Sequence, residues 1–325
     1  MLGGFLALVA AVTFAMNNAA FRRGALTGTV AQAMAISLLL GLLIFAVATV
    51  LAGATGAVTA FPMQSVLMLC GAGVLHFAWG RYCNFRATKA MGANLVGPAQ
   101  QFSIVVTLCL AIFVLDEALT PLRIIGILLV VLAPAVSLRL GQARPGPAAP
   151  ALKFHPNYVE GYTFAFLSAI GYGSSPILVR LSLQDGGIGA SIAGGLIAYA
   201  AATIVMAIAL LAPGTLRHVL SVDRISGKWF SASGALVCLS QMFGYMALAV
   251  APVSVVIPIQ RLSLVFRVYA NSVLNREHEV VGGRIWAATG VALLGALALS
   301  VSVEDLLAVL PLPDALEDLA RWRWS

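Results

Sequence analysis

The sequence has 325 residues, of which 61% are apolar and 10% charged, with a net charge of +7 and a mean hydropathy of +0.98. Soluble globular proteins carry about 25% charged residues, so the composition excludes that class and predicts a polytopic membrane protein. Its structural unit is the spanning helix of about 20 apolar residues. A positive balance is typical of loops that face anionic lipid, so no nucleic-acid partner is expected.

Residues 2 to 21 form the first predicted span, which ends at Arg22 and Arg23. No basic residue precedes this span, so we expect a retained helix rather than a cleaved signal peptide. The other predicted spans lie at about 30–52, 64–85, 93–115, 122–140, 158–180, 187–212, 229–250, 253–275 and 284–303. The chain is therefore predicted to be an all-α polytopic membrane protein with ten transmembrane helices.

The two halves of the chain repeat each other. A shift of 160 residues takes Pro98, Gln100, Ser103 and Glu117 onto Pro258, Gln260, Ser263 and Glu277. The first helix repeats at an offset of 157, where Asn17, Asn18 and Arg23 correspond to Ser174, Ser175 and Arg180. Two separate segments that match at nearly the same offset indicate a duplication.

The duplication divides the chain into four parts. These are a first five-helix repeat at 1–140, a proline-rich basic linker at 141–157, a second five-helix repeat at 158–303 and a tail at 304–325. In the tail, Leu316, Leu319 and Trp322 share one helical face beside Arg321 and Arg323. This pattern predicts a short interfacial helix, with a frayed tail as the alternative.

An odd number of helices per repeat makes equivalent helices cross the bilayer in opposite directions. The expected plan is thus two inverted five-helix repeats, with a substrate site near the midplane where they meet. Loops after odd-numbered helices hold thirteen basic residues and the opposite side holds four. The positive-inside rule then places both termini outside the cytoplasm.

This pattern resembles the drug/metabolite transporter superfamily, and within it the EamA-type ten-helix transporters. The resemblance rests on the paired repeats, on a first helix that carries Asn or Ser and ends in Arg, and on the run Leu115-Asp116-Glu117-Ala118-Leu119 followed by Gly126. The second repeat has Asn275-Arg276-Glu277-His278-Glu279 and then Gly290. The resemblance implies a transporter fold without fixing the substrate. It also implies cytoplasmic termini, which the loop charges contradict.

Polar groups inside the spans are the candidate substrate-binding residues, because such groups are costly in lipid. Arg261 and Arg267 lie in the ninth span, where Gln260, Arg267 and Asn271 share a helical face. Gln100 and Gln101 follow Pro98, as Gln260 and Arg261 follow Pro258. Paired broken helices of this kind mark transporter sites. The alternative is structural guanidinium groups that bind backbone carbonyls or a neighbouring carboxylate.

Two further groups of side chains are weaker candidates. His76 and Trp79 lie in the third span, where the histidine could bind substrate or relay protons, or could make an ordinary helix-to-helix hydrogen bond. The second group could form a gate or pack helices, and it consists of Asn17, Asn18, Ser174, Ser175, Pro98 and Pro258. Glu117 and Glu277, at helix exits, are expected to bind a loop arginine or a helix N-terminus.

The sign of the buried charge favours one substrate class. No Asp or Glu lies near the centre of a predicted span, whereas two arginines do. A guanidinium binds carboxylate or phosphate bidentately, so we expect an anionic or zwitterionic metabolite such as an amino acid, an organic acid or a phosphorylated metabolite. The alternative is an exporter of cationic or lipophilic drugs on the same fold.

Other functional classes have less support. A membrane enzyme would need a base, nucleophile or metal set, and no such motif is present, nor is a phosphate-binding loop for ATP. A membrane subunit that does not transport is the third reading. We expect no cofactor and no metal, coupling to H⁺, Na⁺ or a substrate gradient, a monomer or homodimer, and a location in the bacterial inner membrane.

Overall fold

The computed structural model describes residues 2–115, 120–141, 154–183, 187–250, 256, 259–300, 304 and 307. All the regular secondary structure in these residues is helical. The helices are α1 Leu2–Gly24, α2 Val30–Leu51, α3 Thr55–Ala60, α4 Met63–Gly73, α5 Arg81–Met91, α6 Ala93–Gln100, α7 Phe102–Leu115, α8 Pro121–Gly141, α9 Tyr158–Ser182, α10 Ile188–Leu210, α11 Thr215–Leu220, α12 Arg224–Val250, α13 Ser263–Leu274 and α14 Gly283–Ser300. A π-helical segment, Val74–Gly80, joins α4 to α5, and a 3₁₀ turn, Arg276–His278, follows α13.

Seven helical stretches of the described chain are long and apolar enough to cross a membrane. They are Leu2–Gly24, Val30–Leu51, Met63–Met91, Ala93–Leu110, Tyr158–Ser182, Ile188–Leu210 and Gly283–Ser300. The protein is therefore an all-helical, multi-pass membrane protein, as predicted. The other three predicted spans coincide in position with α8, α12 and α13, which are not among the seven. The linker, the tail helix, Glu117 and Pro258 lie largely or wholly outside the described residues.

Local sequence signals explain where several helices begin and end. Thr29 and Gln32 form a capping box at the start of α2, and the Asn157 side chain accepts from the Glu160 amide at the start of α9. Gly92 ends α5 with a φ of +90°, a conformation that favours glycine. This turn sends the chain directly into α6.

The helix observed at the third predicted span is longer than the apolar run that predicted it. Helix continues from Met63 to Met91 through the π-helical segment, rather than ending near residue 85. Arg22 and Arg81, which the count of loop charges had assigned to loops, lie inside α1 and α5 and are 2% exposed. The prediction of loop positions was wrong for these two residues, because polar contacts inside the bundle replace the solvent that each guanidinium would otherwise need.

Helices of the two halves pack mainly on each other. Helix α1 packs on α12 and α13, while α9 packs on α4, α5 and α7; α2 packs on α10, and α8 on α14. One aromatic cluster lies between the halves, where the Phe21 ring stacks on Phe85 at 3.8 Å and on Phe230 at 5.9 Å. Small residues allow close approach, since a Cβ on Gly73 would collide with the backbone of Ala198.

Candidate functional site

A break in the fourth predicted span lies among buried side chains. Helix α6 contains Pro98 and ends at Gln100, and α7 begins at Phe102 after a turn at Gln101. Proline has no N–H to donate to the preceding turn, which weakens the helix here. In the second half, a helical segment at 259–261 is separated from α13 by a turn at Leu262. The two breaks thus lie within one residue of equivalent positions.

Arg267 lies against the first break. Its side chain is 2% exposed, and Nη2 donates to Oε1 of Gln100 at 3.1 Å. Nε and Nη1 have no hydrogen-bond partner in the part of the chain that the structure describes. The guanidinium carbon lies 5.5 Å from the centre of the Phe14 ring. The group therefore keeps unused donors in an apolar setting, where an unpaired charge is costly.

Gln100 also contacts a second helix of the second half, α9. Its Nε2 donates to Oγ of Ser168 in α9 at 3.5 Å. The guanidinium of Arg267 in α13, the amide of Gln100 in α6 and the hydroxyl of Ser168 in α9 therefore meet at the break. We call Gln100, Arg267 and Ser168 the Arg267 centre.

Asn271 lies one turn beyond Arg267, as the helical spacing predicted. It is fully buried, and its Nδ2 donates to the Arg267 carbonyl at 2.9 Å. Its Oδ1 accepts from Asn275 at 2.9 Å, and Asn275 also donates to the Ala19 carbonyl at 2.9 Å. Asn271 thus supports the packing of α13 on α1, and its amide is already engaged.

The remaining residues near the breaks have polar atoms without protein partners. Gln101 is buried and its Oε1 accepts no hydrogen bond from the described residues. Arg261 is half-buried, and its Nε likewise has no partner among them. Gln260 is half-buried and its amide packs on Gly244 of α12. Gln101 and Arg261 could therefore bind a ligand, and no hydrogen bond joins any of these three side chains to Arg267 in the described part of the chain.

The π-helical segment positions His76 against the second half. Nδ1 of His76 lies 2.7 Å from Oγ of Ser175, and the ring packs on Tyr172 at 4.5 Å between centroids. π-helical turns are frequent at functional sites. Trp79 is elsewhere: its ring is 48% exposed and its indole nitrogen donates to the Leu167 carbonyl at 3.3 Å. The structure does not bring Trp79 to the Arg267 centre.

The candidate gate residues make contacts within helices and between them. Asn17 is buried and accepts from Ser233 of α12 at 2.7 Å, so it joins α1 to α12. Asn18 donates to the Phe14 carbonyl at 2.8 Å, and Ser174 to the Ile170 carbonyl at 2.8 Å, within their own helices. These contacts are those of helix packing.

Sequence reasoning missed Arg81, which is as buried as Arg267. Its Nη2 donates to the hydroxyl of Tyr199 at 2.8 Å, and the guanidinium lies 5.0 Å from the Phe77 ring centre and 5.3 Å from that of Tyr199. Nη1 has no partner among the described residues. The available signal was an aromatic residue four positions earlier on the same helical face.

Sequence reasoning also missed Glu279. It expected Glu277 to bind an arginine or a helix N-terminus, and Glu279, two residues later, binds both an arginine and a helix N-terminus. Glu279 pairs with Arg22 at 3.1 Å and accepts from the first amides of α6. Among the described residues, no salt bridge joins Arg81, Arg261 or Arg267 to a carboxylate, and Glu279 acts on Arg267 only from a longer distance. The buried arginines there outnumber the buried carboxylates.

A separate surface cleft of about 460 Å³ lies at the ends of α2 and α5. It is lined by Thr29, Val30, Ala31, Tyr82, Arg86, Lys89, Ala90 and Glu160. Arg86 is paired with Glu160 there, and Lys89 donates to the Gly28 carbonyl at 2.8 Å. The basic groups of this cleft are already engaged, so the buried centres are the stronger candidate site.

Comparisons with known proteins agree with this architecture. One solved crystal structure is similar with a TM-score of 0.59 and 19% identity, covering 96% of this chain and 98% of the other. At this identity the likeness shows a shared fold alone. The comparison with curated proteins gives no match. The model of the EamA-like transporter family matches residues 1–139, and the resemblance to EamA-type members of the drug/metabolite transporter superfamily is thereby confirmed for this part of the chain.

Proposed function

We propose that this protein is a secondary transporter that moves a small anionic or zwitterionic metabolite across the membrane by alternating access. The observation that carries the proposal is Arg267, which is buried between the halves beside a helix break with Nε and Nη1 unpartnered in the described chain. The matched family is a family of transporters, which supports transport rather than an enzymatic activity.

The energetics of Arg267 favour an anionic ligand. A buried charge without a counter-ion costs several kcal/mol, and Gln100 supplies a dipole but no negative charge. A carboxylate or phosphate that entered the site would supply that charge and accept from Nε and Nη1 together. Bidentate hydrogen bonds between charged groups are stronger than hydrogen bonds between neutral groups. Substrate binding would thus offset a cost that the unliganded protein carries.

The packing of the helices supports ten spans in two inverted repeats. Exchanging the two halves takes the contact of α1 with α12 onto that of α9 with α4 and α5, and the contact of α1 with α13 onto that of α9 with α7. The contacts of α2 with α10 and of α8 with α14 each map onto themselves. A pseudo-two-fold axis produces this pattern, and inverted-repeat transporters place their site on such an axis.

Ligand-dependent thermal unfolding tests the proposal. The purified protein in detergent is heated with amino acids, carboxylates, sugar phosphates, neutral sugars or lipophilic cations. A ligand at 100 times its dissociation constant adds about 2.7 kcal/mol of stability, which raises Tm measurably. We expect anions or zwitterions to raise Tm and Arg267→Gln to abolish the rise. Arg217→Gln, at an exposed arginine of α11, is the control and should keep it.

The same set of ligands tests the alternative function, an exporter of cationic or lipophilic drugs. An exporter of lipophilic cations needs a negative charge or aromatic faces at its site. Stabilisation by lipophilic cations alone, unaffected by Arg267→Gln, would overturn the anion proposal. Location in a bacterial inner membrane, coupling to H⁺, Na⁺ or a substrate gradient, and a monomeric or homodimeric state remain predictions of the sequence.

A further inference from the structure

Arg81 forms a second buried cationic centre, built from the other half of the repeat. Arg267 belongs to the second half and contacts Gln100 and Phe14 of the first. Arg81 belongs to the first half and contacts Tyr199 of the second, whose hydroxyl also accepts from Cys238 at 3.3 Å. Each half therefore inserts one guanidinium into the other.

Asn84 and Tyr172 complete this second centre. Asn84 lies one helical turn after Arg81 and is 1% exposed, and the Tyr172 ring packs on Gly80, the residue before Arg81. Its Oδ1 has no partner among the described residues, nor has Nη1 of Arg81. We call Arg81, Asn84 and Tyr172 the Arg81 centre. Its unpartnered atoms are one cationic donor and one acceptor.

Tyr172 relates the two centres in space. It follows Ser168, the α9 residue of the Arg267 centre, by four positions on the same helix. Four residues make about one helical turn, so the two centres lie about one turn apart along α9. A single small molecule could reach both.

We propose that the Arg81 centre is a second anion-binding subsite, which takes the second acidic group of a substrate whose first acidic group binds at the Arg267 centre. This inference rests on the proposed function and narrows it to small molecules with two acidic groups, such as dicarboxylates or phosphorylated carboxylates. Arg81 then determines specificity, because a substrate with one acidic group leaves Nη1 without a counter-ion.

Matched ligand pairs measure the effect of the second acidic group. Butyrate and succinate each have four carbons but one and two carboxylates, and glycerol 3-phosphate differs from 3-phosphoglycerate in the same way. Affinities are measured by calorimetry on the full-length protein in detergent, in buffer free of chloride and phosphate. Hydrogen bonds to charged groups predict that the second acidic group tightens binding about 10- to 100-fold.

Two variants test whether Arg81 causes the tighter binding of the member with two acidic groups, which we call the preference. Arg81→Gln should bring the affinities for the two members of a pair to near parity, while Arg267→Gln should weaken the binding of both members. Asn84→Asp sets a carboxylate beside Arg81 at constant volume, so it should also remove the preference; it carries the test if Arg81→Gln fails to fold. Arg86→Gln, at an exposed arginine of the same helix, is the control and should keep the preference.

Three results would overturn the inference, and they are distinguishable. If anions bind through Arg267 but the preference is absent, or survives Arg81→Gln and Asn84→Asp, the second subsite is wrong and the proposed function stands. If chloride alone raises Tm through Arg81 while the pairs bind equally, an inorganic anion occupies the centre instead. If neither member of either pair binds, the anion proposal fails as a whole.

Discussion

Arg22 of α1 and Glu279, which precedes α14, form a buried ion pair across the molecule. Nε of Arg22 lies 3.1 Å from Oε1 of Glu279, and the two side chains are 2% and 0% exposed. Arg22 also donates to the carbonyls of Thr88 and Lys89 at 3.3 Å and to that of His278 at 2.6 Å. The guanidinium thus holds together the ends of α1 and α5 and the loop after α13.

Glu279 has a second role at the start of α6. Its two carboxylate oxygens accept from the amides of Ala93 at 2.6 Å and Asn94 at 3.1 Å. A carboxylate at a helix N-terminus stabilises the helix dipole. The ion pair therefore fixes the entry of the broken helix that carries Gln100 into the Arg267 centre.

Breaking this pair from one side should destabilise the protein strongly. Removing one partner of a buried pair typically costs about 3–5 kcal/mol, because it leaves the other charge uncompensated. We expect Arg22→Met and Glu279→Gln each to lower Tm sharply, and the double variant to lose clearly less than the sum of both. Thermal unfolding in detergent measures this. Additive losses would show that the two charges do not depend on each other.

The exposed pair of Arg86 and Glu160 is the matched control. Arg86 is 44% exposed and Glu160 is 30% exposed. An exposed pair contributes about 0–1 kcal/mol, so Arg86→Met should change Tm little. A large loss there would mean that the surface of α5, rather than burial of charge, limits stability.

The helical, membrane-spanning character could be predicted from the sequence, because apolar runs are local signals, while the internal repeat stays a prediction. The pairing of Glu279 with Arg22 could not, since it joins residues 257 positions apart. The assignment of Arg81 to a loop was wrong, because the fold buries its guanidinium at the start of α5 against Tyr199 of α10. Gln100 and Arg267 were both predicted as candidates, but only the fold places them in contact.

Replacing Gln100 by Glu tests whether the charge of Arg267 binds the ligand. The new carboxylate would replace an amide oxygen that lies 3.1 Å from Nη2, so Arg267 gains an internal counter-ion. Pairing a charged group typically contributes about 1.5–3 kcal/mol. We expect Tm without ligand to rise and the rise caused by anions to disappear.

Gln32→Glu is the control for this substitution. Gln32 is also buried, but it closes the capping box of α2, a position that glutamate also fills. This variant should keep the ligand-dependent rise in Tm. If Gln100→Glu keeps it as well, the ligand does not bind through the charge of Arg267.

The packing of α4 on α10 predicts the effect of a single added methyl group. A Cβ on Gly73 would collide with the carbonyl of Ala198, and backbone atoms cannot move aside as a side chain does. Overpacking of this kind costs about 1–3 kcal/mol, so Gly73→Ala should lower Tm. At Gly71, two residues earlier, a Cβ would lie 3.6 Å from Leu178, an ordinary contact. Equal Tm values for Gly73→Ala and Gly71→Ala would contradict the helix contact.

Asp223 predicts a pH-dependent contribution at the start of α12. Its carboxylate accepts from the amides of Ser226 at 2.9 Å and Ile225 at 3.0 Å, and these bonds hold its pKa below the ordinary value. Because the folded pKa is the lower one, the stabilisation is present above the unfolded pKa of about 3.9 and is lost as pH falls further. The difference in Tm between the wild type and Asp223→Asn should therefore become smaller as pH falls below about 4. A difference that stays constant with pH would exclude this role.

The corrected positions of Arg22 and Arg81 bear on membrane orientation. Both are buried in helices, so the thirteen basic residues that the sequence assigned to one side become eleven, against four on the other. The excess survives the correction, and the positive-inside rule still places both termini outside the cytoplasm. Fusing alkaline phosphatase, and separately a fluorescent protein, to the C-terminus measures this. We expect an active phosphatase and a dark fluorescent protein, whereas a fluorescent, phosphatase-inactive C-terminus would show that the charges of this chain do not set its orientation.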